Sequence, residues 1–69
     1  MESKELRHVY NFLSNEITKA RQKIDGINRI IENCDRLSAD YWRDARAEAV
    51  AFLNGIHQAR HIVWKELHK

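Results

Sequence analysis

Residues 52–64 read FLNGIHQARHIVW. Asn54-Gly55 is a common turn dipeptide, and a bend there would make residues 50–67 the helix-turn-helix of a small DNA-binding transcriptional regulator. His57 and His61, four residues apart, would lie one turn above the other on a helix and could supply half a metal site. Read as an uninterrupted helix, the stretch makes the chain a binding module instead. The surrounding sequence favours this third reading. Trp42, Ala45, Ala49, Phe52, Ile56, Ala59 and Val63 step by 3, 4, 3, 4, 3 and 4, and the phase passes through Asn54-Gly55 undisturbed.

The same arithmetic holds upstream. Leu6, Tyr10, Leu13, Ile17, Ala20, Ile24, Ile27, Ile31 and Cys34 alternate steps of four and three without a fault, which is a sustained heptad seam. Between the seams, CDRLSADYW at 34–42 reads as a stop and a restart. The Ser38 hydroxyl is placed to cap the second helix, Asp40 suits its first turn, and Leu37 can staple onto Trp42. Arg36 suits the end of the first helix. The pattern predicts helices over about 4–35 and about 39–67, folded back by a short loop into an antiparallel two-helix hairpin of the all-α class. If facing residues have indices summing to 76, Ile31 meets Ala45, Ile27 meets Ala49, Ile24 meets Phe52, Ala20 meets Ile56 and Ile17 meets Ala59. Large facing small is the packing expected of a specified pair of helices.

The other two readings of 52–64 lack support nearby. A helix-turn-helix would use Val50, Ala51, Gly55 and Ile56 well, but Asn54 and His61 fall where apolar residues belong. Arg60, His61 and Lys65 are a thin supply for reading bases and anchoring phosphates. A catalytic zinc takes three protein ligands and a structural zinc four. His57 and His61 are two, the residues expected opposite them are Asn15 and Lys19, and Cys34 lies at the far end. His8 and His68 share an end of the rod but both should face water. We therefore expect no metal, no cofactor and no nucleic-acid partner. No nucleophile, base and orienting group converge, and Cys34 sits on the seam as a small hydrophobe, so the chain reads as a non-enzyme.

Composition is consistent with that reading. The 69 residues make a single small domain, 1–69, and a chain this short buries only about 60% of its unfolded surface. One cysteine excludes a disulfide framework, which leaves self-association to supplement the core. Twelve basic against ten acidic residues are mixed along the chain, and Lys19, Arg21 and Lys23 diverge around a helix instead of forming a phosphate-binding stripe. Without a long apolar run or a signal-peptide pattern, the expected location is the cytoplasm.

Apolar residues outside the seams point to partners. Val9, Phe12, Ile30 and Ile62 are the expected dimer interface, pairing two hairpins as a four-helix bundle. Helix two carries a second stripe of Arg46, Val50, Leu53, His57, Arg60, Trp64 and Leu67, and the hairpin tip gathers Tyr41, Trp42, Arg43 and Arg46, residue types that dominate protein hot spots. The expected protein-binding set is Tyr41, Trp42, Arg43, Arg46, Val50, Leu53, Arg60 and Trp64. Gly26 and Gly55, inside helices, suggest a close helix approach at one of them or both. In format, an all-helical, cysteine-poor, pocketless hairpin of this length resembles the small phage-encoded host-takeover proteins, among them quorum-sensing anti-activators. The resemblance implies a homodimer that inhibits a host transcription regulator or ATPase in the host cytoplasm.

Overall fold

The computed structural model describes residues 3–69. Two helices account for nearly all of them, α1 over Lys4–Asn33 and α2 over Arg36–Leu67, packed side by side in a rod 54 Å long. They run antiparallel, because Arg46 Nη1 donates to Asn28 Oδ1 at 2.8 Å and Arg60 Nη1 donates to Ser14 Oγ at 3.3 Å. Both pairs have indices summing to 74, so one register holds along the rod. Side chains lean toward the N-terminus of their own helix, and an arginine head lies ~5 Å, roughly three residues of rise, from its Cα, so the backbone levels sum to less than 74. The link between Asn33 and Arg36 and the facing rows Glu16–Lys23 and Ala45–Phe52 place that sum at about 70 instead of the expected 76.

The bend falls earlier than the sequence suggests. Cys34 and Asp35 are extended, α1 stops at Asn33, and α2 is already helical at Arg36. Asp35, not Ser38, is the N-cap: its Oδ1 accepts the Ser38 backbone N–H at 2.8 Å. A carboxylate at this position both accepts the orphan N–H and faces the positive end of the helix, an advantage over a hydroxyl. Two further corrections follow. Arg36 opens α2 instead of closing α1, and Leu37 is 87% exposed on the first turn, so it makes no staple to Trp42. At the other end, Ser3 caps α1 by accepting the Leu6 N–H at 3.3 Å.

The bonds from Ser38 that stabilise the Asp35 carboxylate, backbone first, hold its pKa below the ordinary 3.8. A lowered folded pKa means that the cap's contribution is complete above the ordinary carboxylate value and disappears as pH falls through the folded one. Asp35→Asn should therefore lower the melting temperature at neutral pH, and the gap to the wild type should narrow as acid protonates Asp35. Parallel thermal melts across that range check it; a gap independent of pH would assign the effect to something other than the charge.

On α1 every seam residue from Leu6 to Cys34 is buried or half-buried, as its spacing predicts. α2 is rotated from expectation. Its inward stripe is Ala39, Trp42, Arg46, Ala49, Leu53, Ile56, Arg60, Val63 and Leu67, again in alternating threes and fours. This stripe takes members from each of the two expected stripes. Phe52, expected against Ile24, is 61% exposed. Arg46 and Arg60 make the rotation possible: their stems lie along the interface and their guanidinium heads reach polar partners on α1. The core is thin. Ile17, Ala20, Ile27, Ala39, Ala49 and Ile56 are its buried members, three isoleucines and three alanines.

α2 is continuous through Asn54-Gly55, so residues 50–67 lack the bend that a helix-turn-helix requires. Neither glycine marks a close approach, since a β-carbon at Gly26 or Gly55 would meet nothing within 4 Å. Neither has a positive φ. In such positions glycine only adds backbone entropy to the unfolded chain. Gly26→Ala and Gly55→Ala should each stabilise by about 1 kcal/mol, or roughly 4–8 °C in melting temperature. Thermal melts at dilution, where single hairpins dominate, test this; a loss of stability that appears only at high protein concentration would mean that another chain packs over the site.

Candidate functional site

The two helices leave shallow grooves on opposite sides of the rod, and the residues that flank them differ in chemistry. One groove, about 440 Å³, has Ala20, Ala45 and Ala49 as its floor and Glu16, Lys19, Lys23, Glu48 and Phe52 along its edges. Helical spacing extends both edges along the rod. On α1 the row runs Val9, Phe12, Glu16, Lys19, Lys23, Gly26, Ile30; on α2 it runs Tyr41, Ala45, Glu48, Phe52, Gly55, Ala59, Ile62. Among the described residues, six of the nine large apolar side chains that stand exposed, Val9, Phe12, Ile30, Tyr41, Phe52 and Ile62, therefore share one face. All four residues of the expected dimer interface are among them. Phe52 and Tyr41 also belong to this face, although their spacing or position assigned Phe52 to the seam and Tyr41 to the tip.

The opposite groove, about 380 Å³, is bounded by Tyr10, His57, Arg60, His61 and Trp64. Arg60 Cζ lies 5.7 Å from the centre of the Tyr10 ring, a cation–π geometry that pins the guanidinium between Tyr10 and Ser14. His61 stacks on Trp64 with ring centres 6.0 Å apart, and Trp64 on His68 at 4.3 Å. His68 Nδ1 lies 2.8 Å from the Trp64 carbonyl oxygen, which ties the last ring to the helix end. His57 and His61 do share this recess, but among the described residues no three His, Cys, Asp or Glu side chains are grouped as metal ligands.

At the tip, Tyr41 meets Trp42 edge-on with centroids 5.2 Å apart and planes at 85°. Arg43 Nη1 is 3.2 Å from Asp40 Oδ1 in an exposed ion pair. Pairs of this kind contribute about 0–1 kcal/mol, so the Arg43 head is cheaply released to another acceptor. The protein-binding set expected from the sequence divides in two. Tyr41, Arg43, Val50 and Trp64 are exposed, whereas Trp42, Arg46, Leu53 and Arg60 lie in the stripe that faces α1. The four stripe residues are used in holding the hairpin together. Cys34 is half-buried beside the link, its Sγ 3.5 Å from the Ile31 carbonyl oxygen.

Among the described residues no helix is long and apolar enough to cross a membrane. Compared with protein-family models, curated proteins and solved structures, the chain matches none of them.

Proposed function

We propose that this hairpin is a non-enzymatic protein-binding module that pairs with itself and modulates a partner protein by stoichiometric docking. The observation that carries the reading is the division of apolar surface: six large exposed side chains lie on one face of a rod whose buried core, among the described residues, is three isoleucines and three alanines. A face of this kind, on a chain with so little core, gains most by being covered. Covering it with a second hairpin leaves Arg43 at the tip and Val50 and Trp64 on the opposite side for a different protein. Planar guanidinium and indole groups are the side chains that interfaces use as anchors. The format resemblance suggests a host transcription regulator or ATPase as the target and the host cytoplasm as the setting.

The test is capture of partners from host lysate by the intact chain and by an Arg43→Ala, Trp64→Ala double variant. Both positions are outside the core, so helicity and molecular mass should be unchanged while the specific partner is lost. Equal capture by the variant would remove the tip and the Trp64 side as the docking surface.

A further inference from the structure

We infer that the occupant of the alanine-floored face is a second copy of this chain, arranged with its twofold axis parallel to the rod. α1 of each copy then lies along α2 of the other, and both hairpin tips emerge at the same end. This deepens the self-association proposed above and rests on it.

The size of the face suits such an interface. The rod measures 54 by 14 Å across its broad side, a footprint of about 750 Å² per copy, close to the ~800 Å² that each partner contributes to a standard stable interface. The orientation follows from register. With backbone levels summing to about 70, Val9 on α1 and Ile62 on α2 share a height along the rod. Phe12 lies close to the height of Ala59, Ile30 close to that of Tyr41, and Lys23 close to that of Glu48. An axis parallel to the rod preserves every height and exchanges the helices. It therefore sets Val9 against the partner's Ile62, Ile30 against the partner's Tyr41, and Lys23 against the partner's Glu48.

The other twofold, across the rod, can also match apolar layers, by laying the Phe12 end on the partner's Ile30 end. That axis crosses α1 midway between residues 12 and 30, at residue 21. Lys19 then falls on the partner's Lys23, which gathers four ammonium groups at the centre of the interface. Like charges brought together across an interface cost several kcal/mol, enough to decide between two arrangements that bury similar apolar area. The two Glu16 carboxylates offset only half of that charge, whereas an axis along the rod gives each Lys23 a facing Glu48.

Light scattering on the wild type and on two charge reversals tests the proposal. Lys23 and Glu48 are both exposed, so Lys23→Glu and Glu48→Lys should keep the wild-type helicity by circular dichroism. The expected result is a wild-type dimer, dissociation about tenfold or more easier for each variant alone, and recovery when the two variants are mixed, since the heterodimer restores both opposite-sign contacts. A dimer that Lys23→Glu leaves unchanged or tightens would overturn the along-rod arrangement but not self-association, because the crossed arrangement sets the introduced carboxylate beside the partner's Lys19. A wild-type monomer at micromolar concentration would overturn both.

Discussion

Ile17→Ala or Ile27→Ala is expected to cost about 2–5 kcal/mol, the usual range for emptying a fully packed isoleucine site. The two side chains are 3% and 4% exposed, the most completely buried in the protein. With three alanines and Ile56 as the only other buried members among the described residues, little else surrounds the site to collapse into the space. A domain of this length has a total stability of only about 3–10 kcal/mol, so one such change removes a large share of it. At roughly 4–8 °C per kcal/mol, the melting temperature should fall by about 10 °C or more. Phe52→Ala is the informative comparison. It removes a larger side chain, but one 61% exposed, so under dilute conditions that favour single hairpins it should cost far less than Ile17→Ala. Thermal melts at matched low concentration measure both. Equal losses would mean that α2 is turned so that Phe52 points inward.

Why the sequence left the rotation of α2 open is visible in Arg46 and Arg60. On α2 two stripes step with equal regularity, and spacing places both arginines in the second, partner-facing one. Their stems are apolar, however, and Asn28 and Ser14 on α1 accept their heads, so each arginine can lie along the interface without burying an unpaired charge. A pattern that scores residues as apolar or polar cannot represent such a side chain. α1 has no long amphipathic residue on its seam, and there every position from Leu6 to Cys34 follows the count. The link shows a second limit. Ser38 and Asp35 are both good caps, three residues apart, and the choice between them depends on where α1 stops. The two glycines suggested proximity but meet no neighbour, since low helix propensity says nothing about what surrounds a residue. On the groove face, Val9, Phe12, Ile30 and Ile62 were legible as residues left over from the seams. Phe52 and Tyr41 could join them only once the rotation of α2 was known.

In the proposed pair of hairpins, Phe12→Asp is expected to leave single chains. Phe12 is 60% exposed in the hairpin, so the monomer loses little by the change and its helicity should persist. In the paired form each twofold interface contains the position twice. Each phenylalanine is 60% exposed before pairing, so withdrawing the two, at about 1.5–3 kcal/mol for full burial of one, removes about 2–4 kcal/mol of association energy. The carboxylates left in an apolar layer add a desolvation cost, since neither Val9 nor Ile62 offers a donor. Every 1.4 kcal/mol is tenfold in affinity, so the dissociation constant should rise by about one and a half to three orders of magnitude. Two readouts separate this from simple unfolding. Light scattering should show the mass halved while circular dichroism retains the helical signal. The melting temperature, which for a dimer rises with protein concentration, should become independent of it. If the variant keeps the wild-type mass, the apolar face is not where the copies meet; if it loses its helices, Phe12 supports the hairpin itself, despite its exposure.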